Sequence, residues 1–218
     1  MKIDLHVHTS ERSQCARSGE EKMIQAAIAH GIDGLAFTDH HMLVPLEWLE
    51  QLNRRYAPFR IFGGIEISVT EGEDLLVLGV HDPALESREW AYPALYDFVR
   101  EREGFLILAH PFRFRDRIAL DLERFPPDAM EIRSNNTREE DETKICFRAG
   151  RFGLRLICSS DAHRAKDVGM YFCHLGREPQ DERELLDILR AGRYTCHHLD
   201  TATALDHEFA SRPQLCRV

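Results

Sequence analysis

Positive charge is scarce in this 218-residue chain, with 28 Lys and Arg against 37 Asp and Glu and a net charge of −9. A protein that grips duplex DNA needs a cationic face to displace counterions, so duplex nucleic acid is not an expected partner. Long apolar runs are missing too. No stretch approaches the roughly eighteen consecutive apolar residues of a membrane-spanning helix, so no membrane association is expected. Met1 and Lys2 lead straight into a strand-like segment, so no secretory leader is expected. The six cysteines (15, 146, 158, 173, 196 and 216) include no Cys-x-x-Cys pair. Scattered thiols suit a reducing cytoplasm better than a disulfide framework, so the expected location is cytoplasmic. No Gly-x-Gly-x-x-Gly follows the first strand-like segment, which removes the usual cue for an open dinucleotide-binding sheet.

Histidine is in surplus, with twelve in the chain. Hydrophobic residues make up 43% and charged residues 30%, enough to build one core without disulfide staples. Short apolar strands alternate with amphipathic helices. Strands are expected over 2–7, 34–38, 60–69, 105–109, 129–133, 155–158 and 170–175, with 75–80 pairing beside 60–69. Helices are expected from Ser18 to Gly31, from Pro45, and over 90–102, 138–151 and 181–191. Ser18 and Glu21 have the spacing of a capping box. Met23, Ile24, Ala27 and Ile28 would line the inner face of the first helix, and Leu46, Leu49 and Leu52 that of the second. The tail from Thr195 onward carries little signal. About seven β-then-α units without a linker predict one domain over 1–218, with a parallel sheet closing into a barrel.

The polar residues fall at the carboxyl ends of these strands. His6 and His8, two apart on one strand, point to the same side and can reach one ion. Asp39, His40 and His41 follow the second strand, Glu66 lies late in the third, and His110 follows the segment 105–109. Asp161 and His163 follow 155–158 and repeat the two-residue spacing. In (β/α) barrels those strand ends form the catalytic face, so ligands far apart in sequence converge there. Imidazole mixed with carboxylate suits Mn²⁺, Fe²⁺ or Zn²⁺ better than Mg²⁺ or Ca²⁺. Asp39 and His41 are candidates to orient the ligands, or are plain loop residues.

Asp4-Leu5-His6-Val7-His8-Thr9, Thr38-Asp39-His40-His41, Gly64-Ile65-Glu66-Ile67-Ser68, Ala109-His110-Pro111 and Ser160-Asp161-Ala162-His163 resemble, in order, the motifs of the polymerase and histidinol phosphatase (PHP) superfamily. The match runs from residue 3 to about 175. The resemblance implies a distorted seven-stranded (β/α) barrel with two or three divalent transition metal ions (Mn, Fe or Zn) at the C-terminal ends of the strands. It implies a catalytic centre of His6, His8, Asp161 and His163. His6, His8, Glu66 and Asp161 would hold a first metal, His40 and His163 a second, and Glu66 with His110 a third. Two places depart from the family pattern. Ser13 and Gln14 stand where a further His or Asp is usual, with Cys15 next. Asp74, or else His81, is the nearest equivalent of a missing third-metal histidine. Cys15 is thus either a ligand or a spectator thiol.

Cations of this kind activate water and cancel charge on phosphoryl oxygens. The substrate phosphate then needs protein cations. Arg113 follows His110 directly and is the leading clamp, because guanidinium binds phosphate in bidentate fashion. Arg133, Asn135, Arg164 and Lys166 follow later strands, whereas Arg115 and Arg117 read as a solvated face. Phe112 and Phe114 could stack a nucleobase or pack the barrel. The expected activity is hydrolysis of a small phosphomonoester (a nucleotide, a sugar phosphate or a histidinol-phosphate-like molecule). The alternatives are an exonuclease trimming short oligonucleotides and a non-catalytic, regulatory metal-binding domain.

Overall fold

A computed structural model describes residues 1–87, 89–200 and 205–208; Cys216 lies outside them. The strands in chain order are β1 (Lys2–Val7), β2 (Gly34–Phe37), β3 (Arg60–Ser68), β4 (Asp74–Leu78), β5 (Phe105–Leu108), β6 (Ala129–Arg133), β7 (Arg155–Cys158), β8 (Tyr171–Leu175), β9 (Tyr194–Asp200) and β10 (Leu205–Glu208). The α-helices are α1 (Glu20–Ala29), α2 (Leu46–Tyr56), α3 (Tyr92–Glu101), α4 (Glu142–Phe152) and α5 (Glu182–Ala191). The strands form one sheet in the order β10-β9-β8-β1-β2-β3-β4-β5-β6-β7.

The sheet curls into a nearly closed barrel. Beyond β7 the chain returns to β1: Val7 bridges Ala162 in parallel, His8 N–H donates to Ala162 O at 2.9 Å, and Ala162 N–H to His6 O at 3.2 Å. This closure sets His6 and His8 beside Asp161 and His163, although about 150 residues separate them in sequence. Strands β2, β4 and β5 are buried throughout, which is why they read as continuous apolar runs rather than as alternation. Gly153 and Gly192, with φ of 67° and 65°, end α4 and α5 in the left-handed conformation that glycine adopts without strain.

The architecture departs from seven parallel β-then-α units. Pairing is parallel along β1-β2-β3 and β5-β6-β7. It is antiparallel for β4 against β3 and β5, and for β8 against β1 and β9. The turn from β3 to β4 spans only residues 69–73, whereas a parallel crossover needs a dozen or more. The segment from Thr195 forms most of β9, where the sequence signal is weak. Gly176 N–H donates to Arg193 O at 3.0 Å, so α5 is an excursion inserted at the end of a hairpin.

Local expectations also shift. Ser18 does not cap α1, whose N-cap is Gly19 without a side-chain bond. The Ser18 hydroxyl accepts from Ala165 N–H at 3.0 Å, and the Glu11 carboxylate takes the Glu20 N–H instead. Ile28 and Leu46 are exposed, while Met23, Ile24, Ala27, Leu49 and Leu52 are buried. Among the described residues, no helix is long and apolar enough to cross a membrane.

Candidate metal centre

Strained backbone positions mark the rim of the barrel, His110 and Asp161 among them. His110 has φ 27° and Asp161 φ 52°, a region that residues other than glycine rarely adopt and that surrounding bonds must hold. The His110 N–H donates to Glu131 Oε2 at 2.7 Å. Asp161 follows Ser160, whose N–H donates to Asp4 Oδ1 at 2.9 Å and whose hydroxyl donates to Asp4 Oδ2. Asp4 also accepts from Gly169 N–H at 2.8 Å. Burial outweighs these bonds and raises the Asp4 carboxyl to about 6. This carboxyl ties β1 to the segment after β7.

Two polar chains fix the imidazoles of β1. A carboxylate only accepts, so His6 Nδ1 donates to Glu131 Oε1 at 2.8 Å; Ser159 Oγ donates to the same oxygen at 2.6 Å. The Ser13 hydroxyl donates to Asp39 Oδ1 at 2.6 Å. Its oxygen then accepts from His8 Nδ1 at 3.2 Å and from His40 N–H at 3.1 Å. Asp39 is held in turn by Thr9 N–H, Thr9 Oγ and Arg12 Nε. Both Nδ1 atoms therefore carry protons, which leaves the two Nε2 atoms, 2.9 Å apart, facing a common point.

Carboxylates close on that point. Glu66 Oε2 is 3.5 Å from His6 Nε2, 3.2 Å from His8 Nε2 and 2.9 Å from His40 Nδ1. Asp161 Oδ1 is 3.4 Å from His6 Nε2 and 3.2 Å from His8 Nε2. Yet Glu66 Oε2 and Asp161 Oδ1 are buried without a hydrogen-bond partner. Facing imidazole nitrogens ringed by orphaned carboxylate oxygens call for a cation, a proton or a metal ion. The donor set fits a divalent transition metal. His6, His8 and Glu66 form one group with donor atoms all within 4.8 Å of one another. His8, His40 and His163 form a second, Glu66, Asp74 and His110 a third, and His6, His110 and Asp161 a fourth, which shares His6 and His110 with the others.

Most of the expected ligands thus meet. His110 Nε2 lies 3.0 Å from Glu66 Oε1 and 3.8 Å from Asp74 Oδ2, and the His163 ring lies 4.3 Å from that of His8, tilted by 30°. Cys15 is exposed, its Sγ 3.1 Å from His163 Nε2. His81 is not brought in; it pairs with Glu182 at 2.8 Å. His41 turns aside, accepting from Ser68 N–H at 3.4 Å. Arg113 reaches the cluster, 3.4 Å from His110 Nε2 and 3.8 Å from Asp161 Oδ2. Arg133 instead pairs with Glu142 and Glu139. Asn135 and Arg164 are exposed, and it is Asn136 whose amide donates to Asp161 Oδ2. Phe112 is buried in the core, whereas Phe114 is 60% exposed. Glu131, Ser159 (through Glu131) and Asn136 hold the candidate ligands by hydrogen bonds without standing out at a strand end in the expected motifs. The signal for Glu131 was present: a carboxylate inside an apolar strand, as for Glu66.

Protons and cations compete for the same lone pairs. Burial favours neutral imidazole, but Asp161, Glu131 and Glu66 overcome it and raise His6 well above its ordinary value. Against the same burial, Asp161 and Glu66 raise His8 to about 9. Burial likewise opposes charge on Glu66 and Asp161, yet the histidines hold both carboxyls well below their usual range. Metal binding must therefore expel the His8 proton at any pH below about 9. Apparent Mn²⁺ affinity is expected to climb with pH from neutrality and to level off above that value, by up to about tenfold per unit for each proton released. Calorimetric titration of chelator-stripped protein at a series of pH values checks this. An affinity flat in pH would show that the imidazoles are already neutral.

A profile of the PHP domain family matches residues 4–188. A search among curated proteins found no match. Among solved structures, a two-domain protein from Bacteroides vulgatus ATCC 8482, described as containing a PHP-like metal-dependent phosphoesterase, aligns with TM-score 0.69 and 13% identity over 91% of this chain; the chain spans 64% of that protein. A protein from Bifidobacterium adolescentis ATCC 15703, described as a metal-dependent phosphoesterase, aligns with TM-score 0.64 and 14% identity over 87% of this chain and 96% of its own. An amidohydrolase from Chromobacterium violaceum, solved with bound sulfate and no metal, aligns with TM-score 0.62 and 19% identity over 93% of this chain and 100% of its own.

Proposed function

The chain belongs to the PHP domain family, and from that premise we propose that it hydrolyses a small phosphomonoester with the help of two or three divalent transition metal ions. One observation carries the choice of substrate. Of the residues expected to hold phosphate, Arg113 is the one that reaches the ligand cluster, 3.8 Å from Asp161 Oδ2. Arg133 is engaged by Glu142 and Glu139. A single guanidinium beside the centre suits one phosphoryl group better than a polyanionic strand. When bound, the cations supply a nucleophile at neutral pH and offset phosphoryl charge. His6, His8, Glu66 and Asp161 are read as the ligands of one ion. His40 and His163, with Cys15 beside them, are read as those of a second, and His110 with Asp74 as those of a third. Arg113 orients the phosphate, and Glu131 and Ser13 hold the imidazoles.

Exposed Phe114 favours a second reading. Its ring lies 6.0 Å from that of His110, with the Arg113 guanidinium 5.0 Å above it, so a base could stack beside the bound phosphate. An exonuclease acting on the end of a short oligonucleotide would use the same contact.

Metal content and phosphate release, measured with and without added Mn²⁺, test both readings. Nucleoside monophosphates, sugar phosphates and histidinol phosphate would be compared with short oligonucleotides. Release from a monomeric ester is expected. Release confined to oligonucleotides transfers the assignment to the exonuclease, and a loaded centre inert to every substrate leaves the regulatory domain. Arg113→Ala is expected to lower kcat/KM for the preferred ester by about 10–100-fold, the worth of a charged hydrogen bond, chiefly through KM and with metal content unchanged. Lost metal with KM intact would remove Arg113 from the substrate site.

A further inference from the structure

A second cluster of metal-ligating side chains shares no residue with the histidine centre. Cys158 on β7, Cys173 on β8 and Cys196 on β9 bring their sulfurs within 4.8 Å of one another. All three residues have 0% exposure. Cys173 and Cys196 are directly opposed in the β8–β9 ladder. Cys158 faces them across the seam of the barrel, where β7 and β8 are not neighbours in the sheet order. Thiol contacts to backbone carbonyls cross there: the Cys158 thiol donates to Phe172 O at 2.8 Å and lies 3.8 Å from His197 O, the Cys173 thiol donates to Cys158 O at 3.3 Å, and the Cys196 thiol lies 3.8 Å from Leu156 O.

We propose that Cys158, Cys173 and Cys196 form a binding site for a neutral, trivalent thiophilic metalloid of the arsenous acid class, held by all three sulfurs.

Geometry comes first. Three sulfurs about 2.3 Å from one central atom, the length of a zinc–thiolate bond, lie about 4 Å apart in a trigonal plane and closer in a pyramid. Small side-chain rotations from the present arrangement reach that spacing. Soft thiolate donors also select against the hard cations that oxygen sites prefer.

Charge then selects within the soft class. Burial, with the neighbouring thiols, pushes Cys158 and Cys173 well above the ordinary thiol range, so they stay protonated at neutral pH. A divalent cation bound by three thiolates would leave a net negative charge in a fully buried site, which is costly without a partner. A trivalent centre leaves none. In the reaction, three As–O bonds of As(OH)3 break and three As–S bonds form. Each thiol proton leaves with a hydroxide as water, so three waters are released and no oxidation state changes. Arsenous acid is itself uncharged at neutral pH and enters the seam without the desolvation penalty of an ion. Once bound, it joins β7 covalently to the β8–β9 pair.

The test uses the reduced full-length chain carrying Cys15→Ser, Cys146→Ser and Cys216→Ser, which leaves only the three cluster thiols. Arsenite is expected to give one adduct by native mass spectrometry, heavier by one arsenic less three hydrogens. X-ray absorption at the arsenic edge should show three sulfur neighbours, and the thermal midpoint should rise. Adding Cys158→Ser should abolish the three-sulfur shell; if that variant does not fold, the absorption spectrum of the parent still decides. Arsenic taken up only after unfolding, or a shell of two sulfurs with oxygen, would overturn the proposal. So would displacement of arsenic by equimolar Cd²⁺, because the charge argument would then be wrong.

Discussion

Asp161→Asn is expected to strip bound metal from the protein and to lower kcat/KM for phosphoester hydrolysis by more than about 100-fold, beyond the 10–100-fold typical of losing a residue that only orients a ligand. The substitution keeps the shape of the side chain. The amide oxygen can still accept from Asn136, whose side chain donates to Asp161 Oδ2, and the strained φ of 52° is set by the bonds of Ser160 and Ala162, which do not change. What disappears is the charge. Asp161 Oδ1 is buried without a partner, 3.4 Å and 3.2 Å from the Nε2 atoms of His6 and His8. It is one of two carboxylates that make this pocket attractive to a cation, and Glu66 alone has to neutralise what both neutralised before. In the metal-free variant, His8 should also titrate lower, since Asp161 is a principal cause of its rise to about 9. Metal content by mass spectrometry, phosphate release and a circular dichroism melt separate the cases. A melt equal to that of the chelator-stripped parent, with lost metal and lost turnover, is the expected triad. A full metal complement with ordinary turnover would remove Asp161 from the ligand set and the hydrolytic reading with it.

How much of this centre is legible in the sequence depends on where a residue stands relative to a strand end. His6, His8, Glu66 and His110 each break an apolar strand or follow it within two residues, Asp161 and His163 lie in the segment that leaves β7, and a parallel sheet gathers such positions on one rim. The barrel comes from the same alternation. What alternation does not carry is direction. Strands β4 and β8 read like the others, although they run against their neighbours. For β4 the clue was the short link 69–73, which cannot carry a parallel crossover; for β8 no comparable local cue exists. Side-chain commitments were the least legible. Arg133 has the right chemistry for phosphate, but Glu142, the first residue of α4, takes it. Asn135 and Asn136 differ by one position, and the turn after β6 decides which one faces Asp161. Ser18 has the spacing of a cap, but its hydroxyl is used by Ala165 across the fold. In each case a tertiary partner invisible in local sequence outweighs a local preference.

Glu131 shows how far that invisibility extends, and Glu131→Gln is expected to be the second most damaging change. The carboxylate of Glu131 accepts three hydrogens: from His6 Nδ1 and Ser159 Oγ at Oε1, and from His110 N–H at Oε2. Glutamine has one acceptor and one donor end, so either orientation opposes a donor to a donor. If the amide nitrogen faces His110, the backbone strained at φ 27° loses the bond that holds it. If it faces His6, the imidazole must give up its Nδ1 proton and carry one on Nε2, where the lone pair for the metal is needed. The expected loss is about 10–100-fold in metal affinity. Nitrogen chemical shifts of the histidines distinguish this positioning role from a purely structural one. In the parent protein His6 should carry its proton on Nδ1 when metal is bound, and in the variant a fraction should move to Nε2. Glu131→Asp, which restores two acceptor oxygens on a shorter arm, should recover part of the affinity. Metal affinity unchanged in Glu131→Gln, with His6 still protonated on Nδ1, would show that packing on the rim alone orients the imidazole. The bond to Glu131 would then be a consequence of the centre's geometry rather than its cause.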